Sequence, residues 1–81
     1  MKLLKFYADW CGPCKMLSKV MEGMELDIPV DNIDIDKDSD AAIRYGVRGV
    51  PMLVLLDEHG NTLRSKTGLM SASELTTFIK G

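Results

Sequence analysis

YADWCGPCK, residues 7–15, holds both cysteines of the chain, with only Gly12 and Pro13 between Cys11 and Cys14. Just before it, Lys2 to Ala8 is apolar and aromatic and reads as a buried strand. Just after, Pro13 opens a helix whose apolar positions Leu17, Val20, Met21 and Met24 recur at three- and four-residue spacing, with Gly23 near its end. Two thiols therefore stand where a strand hands over to a helix.

The elements downstream follow closely, without repeat, linker or low-complexity segment. Val30 to Ile35 sets Ile33 and Ile35 against Asp34 and Asp36, the period of a strand with one wet face. A short helix is expected from about Asp40 to Tyr45, with Asp38 or Ser39 as its cap and Gly46 as its stop. Met52 to Leu56 reads as a second buried strand. The turn through Glu58, His59, Gly60 and Asn61 returns the chain as a strand from Thr62 to Lys66, so this pair should form a hairpin. Ser71 and Glu74 make a capping box, Met70 and Leu75 a hydrophobic staple, and Leu75, Phe78 and Ile79 the buried stripe of a last helix. The order is βαβαββα. Right-handed crossovers make the first two strands parallel, which predicts an α/β fold: a four-stranded mixed sheet flanked by helices.

Composition bounds the rest. A chain of 81 residues, 46% hydrophobic and 27% charged, reads as one domain over residues 1–81 with a small core. Domains of this size bury only about 60–65% of their unfolded surface. The net charge is −2, and the Lys and Arg residues are scattered singly from Lys2 to Lys80. No phosphate-tracking patch results, so nucleic acid is excluded as a partner. The longest apolar candidate, Met52 to Leu56, falls far short of the ~20 residues a bilayer requires, which excludes a membrane partner. The opening Met1-Lys2-Leu3-Leu4-Lys5 brings charge too early for a signal peptide, so a cytoplasmic, reducing location is expected.

In that setting the paired cysteines are read as reactive. A Cys11–Cys14 bridge closes too short a loop to constrain the unfolded chain much, so it is a poor staple. Both residues fall on one helical side, within reach of disulfide geometry. Pro13 loses nothing by lacking an N–H in the first turn, and Gly12 leaves the approach open. Unpaired N–H groups and the positive end of the helix favour a thiolate on Cys11, expected to be the more exposed sulfur. Cys11 would attack a substrate disulfide and Cys14 would resolve the mixed disulfide. A zinc site would need four ligands, and His59 is the only histidine, so no metal is expected. The acidic run DIDKDSD, residues 34–40, fails as a calcium loop, since Ser39 stands where Gly is required and Tyr45 where Glu is required. His59 reads as a surface residue of a turn.

These motifs carry a resemblance. DWCGPCK, then YGVRGVPMLVLL, then Gly68 after Lys66-Thr67, resemble the thioredoxin family in order and over nearly the whole chain. The resemblance implies a minimal thioredoxin fold and a protein disulfide reductase that needs no cofactor beyond the redox-active Cys11–Cys14 disulfide. Its implied partners are disulfide-containing protein substrates and a flavin-dependent thioredoxin reductase, met by a monomer. It also implies a cis Val50–Pro51 bond and a substrate rim of Trp10, Gly12, Pro13, Val50, Pro51, Gly68 and Leu69, with the Val50 backbone pairing to an extended substrate segment.

Two departures stand out against that family. A strand and helix that usually precede the first strand are missing, so Val30 to Ile35 becomes a sheet edge, guarded by Asp31 and Asp34. Lys5 stands where the family commonly buries an acid beneath the second cysteine. It could tune the thiols by its charge, act as a base after losing its proton, or snorkel to solvent. Tyr7, at a position often Trp, is expected to pack. Two rival readings stand beside this one. The short length suggests a glutaredoxin-like, glutathione-dependent reductase, against which the Gly-Pro dipeptide argues. The other is a redox-independent binding module docking a partner on Trp10, Val50 and Leu69.

Overall fold

Strand β1 (Lys2–Tyr7) occupies the middle of the sheet, and its alternation decides which layer each later element joins. The computed structural model describes residues 1–81. After β1 come α1 (Gly12–Glu22), β2 (Val30–Asp34), α2 (Ser39–Arg44), β3 (Met52–Leu56), β4 (Thr62–Thr67) and α3 (Ala72–Lys80). The four strands run β2-β1-β3-β4, with β1 parallel to β2 and antiparallel to β3, and β3 antiparallel to β4. This is the expected mixed sheet with helices on its faces.

Successive side chains of β1 point to opposite faces. Leu3 joins Leu53 and Leu55 of β3, Leu17 of α1, and Met70, Leu75 and Phe78 of the α3 region in one buried cluster. Leu4 and Phe6 join Met52, Val54 and Leu56 in a second, against which Ala41, Tyr45 and Val47 pack. The helices therefore divide, α1 and α3 on one face and α2 on the other. Both faces of β1 and β3 are covered, and β3 is buried along its whole length. Phe6 and Tyr45 meet with ring centroids 5.7 Å apart at 51°, a tilted contact that fixes α2 over the sheet.

The helix ends are set locally. Asp38 caps α2, its carboxylate accepting from the Ala41 N–H, so the helix starts at Ser39 and is shifted from the expected Asp40–Tyr45. Gly46 follows at φ 64°, a conformation only glycine adopts without strain. At α3, Ser71 Oγ accepts from the Glu74 N–H while Glu74 accepts from the Ser71 N–H, a complete capping box. Met70 and Leu75 are both buried beside it, as the staple requires.

One expectation for β2 is corrected. The alternation of β2 puts Asp34 on a wet face guarding the edge, yet it is only 8% exposed. Its side chain accepts from the Asp36 N–H at 2.9 Å and its carbonyl from Lys37 and Asp38, so it turns inward to shape the loop into α2. Guarding the edge falls to Asp31, which forms an ion pair with Lys2.

Two carboxylates make stability depend on acid. Asp57, in the β3–β4 turn, is held below its ordinary pKa by the Asn61 N–H and further by the His59 N–H. Glu74 is held low by the Ser71 N–H and then by Lys66. A carboxyl whose pKa is depressed on folding stabilises the fold above its unfolded pKa of about 4, and that contribution disappears as pH falls through the folded value. The urea midpoint is therefore expected to drop below about pH 4, less steeply in Asp57→Asn. Ser71→Ala is expected to cost about 1 kcal/mol in urea unfolding. An unchanged midpoint in Ser71→Ala would remove the cap from the list of stabilising contacts.

Candidate active site

Cys11 ends the lead-out from β1 and caps α1 in a single residue. Its backbone is extended (φ −90°, ψ 107°), Gly12 and Pro13 form the first two helical positions, and the Cys14 N–H points at Cys11 Sγ from 3.1 Å. An N-cap side chain normally presents oxygen to this donor. Here a sulfur takes that place. When the bridge opens, the same N–H donates to the Cys11 thiolate, and the positive end of the helix lies beside it, so ionisation is favoured. Cys11 and Cys14 are bridged, their Cα atoms 5.3 Å apart. That span lies inside the ordinary disulfide range.

The expected exposure of Cys11 is not realised in the bridged state. Cys11 is 4% exposed and Cys14 2%. Both pack with Ala8 into a small cluster against Tyr7, Ile35 and Val50. The Val50 carbonyl lies 3.6 Å from Cys11 Sγ and is an acceptor within reach of a Cys11 thiol.

The rim residues divide by exposure. Trp10 is 70% exposed and Leu69 43%, large apolar groups that the core leaves outside. Gly12 and Pro13 are exposed, Val50 and Gly68 half-buried and Pro51 buried. The Val50–Pro51 peptide bond is cis. The Gly68 N–H donates to the Pro51 carbonyl at 2.8 Å, which joins the loop after β4 to the loop before β3. Gly68 has φ 106°, so this closure depends on glycine. Contacts thus connect Cys11 with Val50 and Pro51 with Gly68. Leu69 is placed by its neighbour Gly68 alone.

Lys5 does not snorkel out onto the surface. It is 5% exposed, on the face of β1 that meets α1, and its Nζ donates to Ser18 Oγ. Burial lowers its pKa, and the nearby Glu22 carboxylate opposes that shift. Ser18 lies one helical turn beyond Cys14 on α1, and the hydrogen bond of Lys5 goes to Ser18 and to neither sulfur. His59 lies exposed in its turn, remote in role from this site.

Two polar partners of the site residues, Asp36 and Ser18, lie outside the sequence motifs. Trp10 Nε1 donates to Asp36 Oδ2 at 2.9 Å, across 26 positions. No local pattern announces such a long-range bond. Ser18 was more accessible to inference, because Cys14, Ser18 and Glu22 repeat at four-residue spacing and so share one side of α1.

A dithiol closed across the first turn of a helix, at the end of a central strand of a mixed sheet, defines a thiol–disulfide oxidoreductase. Comparison with known proteins narrows the class. The family model described as Thioredoxin matches residues 1–81. The thioredoxin of Pseudomonas aeruginosa is 38% identical over 95% of this chain and 74% of its own length, and that of Chlamydia pneumoniae 36% over 95% and 78%. A mutant thioredoxin from Halobacterium salinarum superposes with a TM-score of 0.89 at 43% identity, covering 98% of this chain and 71% of its own. This chain belongs to the thioredoxin family.

The Trp10–Asp36 bond is open to a direct check, because Trp10 is the only tryptophan. Asp36→Ala is expected to lower the steady-state fluorescence anisotropy of the indole by freeing its side chain. Equal anisotropy in the parent and the variant would show that the bond does not restrain the ring.

Proposed function

We propose that this protein reduces the disulfides of protein substrates with Cys11 as nucleophile and Cys14 as resolving thiol. The Cys14 N–H aimed at Cys11 Sγ carries the assignment, since it supports the thiolate at one sulfur only. The Cys11 thiolate attacks one substrate sulfur. A Cys11–substrate bond forms, the substrate disulfide breaks, and its leaving sulfur takes a proton from water. Cys14 then loses its proton and attacks Cys11 Sγ. The Cys11–Cys14 bond forms and the second substrate sulfur leaves as a thiol. The substrate gains two electrons and the dithiol loses them. Thioredoxin reductase returns them, in this reading as a flavin enzyme drawing on a reduced nicotinamide.

Trp10, Gly12, Pro13, Val50, Pro51, Gly68 and Leu69 form the surface on which an extended substrate segment lies. Pro51 shapes the groove and the Val50 backbone pairs with the segment in strand fashion. The exposure of Trp10 and Leu69 supports this reading, because both present apolar surface that nothing in the fold covers. The protein acts as a monomer in the reducing cytoplasm, where the thiols are restored between turnovers. The redox-active disulfide is the only reacting group it requires.

Insulin-disulfide reduction with a dithiol donor tests the assignment. The parent is expected to precipitate insulin chains and Cys11→Ser to lose activity to background. Cys14→Ser should attack and then stall, leaving a substrate adduct on Cys11 visible by intact mass. Full activity in Cys11→Ser, or a reduced Cys11 no more acidic than free cysteine and closed to alkylation, would end the proposal.

A further inference from the structure

On the face of β1 that meets α1, Leu3 stands beside Val30 of β2 and Lys5 beside Asn32. Leu3 is sealed in the core with Leu17. Beyond that seal, Lys5, Ser18, Glu22 and Asn32 border a cleft of about 520 Å³ between α1 and the edge strand β2. Small-molecule sites run from about 300 to 1,000 Å³, and this cleft falls among them. Met21, Leu26 and Val30 line it too, so polar groups and aliphatic surface share one space. None of the rim residues around the dithiol borders it, which makes it a separate place on the molecule.

Lys5 is the only buried cation of the chain, and its ammonium has three N–H groups to satisfy. The fold supplies one acceptor, Ser18 Oγ. Glu22 acts on Lys5 through its charge and makes no ion-pair contact with it, the ion pairs of the chain being Lys2–Asp31 and Lys66–Glu74. A buried cation with donors left over beside a cleft calls for an acceptor from outside the chain. Burial disfavours the Lys5 charge, and an anion bound there adds to the support it has from Glu22. A plain carboxylate is drawn by Lys5 and repelled by Glu22, which is exposed at the mouth of the cleft. A molecule carrying an ammonium next to its carboxylate suits both. We infer that this cleft binds a free α-amino acid with an aliphatic side chain. Its carboxylate meets Lys5, with the Ser18 hydroxyl and the Asn32 amide as further donors, and its ammonium turns toward Glu22. Its side chain is covered by Met21, Leu26 and Val30.

The test is a titration of the disulfide-closed protein with L-valine near neutral pH, followed by backbone amide NMR. Saturable shifts are expected at Lys5, Ser18, Glu22 and Asn32, with the amides of Trp10 and Leu69 unmoved. Two further probes divide the ligand: isovalerate is valine without its ammonium, and isobutylamine is valine without its carboxylate. Each is expected to bind about tenfold more weakly than valine, the loss of one charge-assisted contact. Glu22→Gln removes both the attraction for the ammonium and the repulsion of the carboxylate, so it should bring valine and isovalerate to equal affinity. Lys5→Met keeps the volume and removes the charge, and should abolish saturable binding of valine. The same spectra report whether each variant is folded. Should Lys5→Met fail to fold, the exposed Glu22→Gln and the two truncated probes decide the matter. No saturable shift at the cleft amides overturns the proposal, as does undiminished binding in a folded Lys5→Met. Isovalerate or isobutylamine matching valine in the parent overturns it equally, and so does a preference for valine that survives Glu22→Gln.

Discussion

Everything in this molecule depends on one backbone N–H, that of Cys14, directed at the sulfur of Cys11. It begins the first helix and favours the thiolate with the same bond, so opening or closing the disulfide changes the charge of a helix cap. An oxygen cap would give the helix an equally good start and no redox chemistry. Sulfur is a weaker acceptor than oxygen when neutral and a far better partner for an N–H once ionised. The chain thus accepts a modest cap in one state and gains a strong one in the other.

The cap is useful only because of what carries it. β1 is central, paired on both sides and covered on both faces, and a short loop from its end leads to Cys11 at the start of α1. Around that sulfur, two loops from distant parts of the chain are joined by the Gly68–Pro51 hydrogen bond. The left-handed backbone of Gly68 allows the approach. Trp10, tied to Asp36, and Leu69, next to Gly68, stand outside the core. Both leave apolar surface exposed on the side of the molecule that carries the dithiol loop.

Against this economy Lys5 is the anomaly. A domain this small has little apolar burial to spare, yet it commits a position on the inner face of its central strand to a cation. The surroundings moderate the cost: Ser18 accepts one donor, Glu22 supplies opposite charge, and Lys5 borders a cleft lined also by Tyr7, Ser18, Glu22 and Asn32. Sequences that break a local rule tend to do so near their chemistry, and this break lies under the helix that carries the dithiol.

The sequence by itself determined the order of elements, the parallel and antiparallel pairings, the capping box at Ser71 and the identity of the reactive pair. Each follows from spacing within a few residues: alternation in strands, three- and four-residue repeats in helices, and a Cys-Gly-Pro-Cys start at the strand end. Only the tertiary structure decided that Asp34 turns inward, that Cys11 is buried in the bridged state, that Asp36 holds Trp10 and that Lys5 stays beneath α1. These depend on partners brought close by sheet order and helix packing. A side chain such as an aspartate or lysine has no intrinsic preference strong enough to say, before the partners assemble, whether it will meet water or a hydrogen-bond donor.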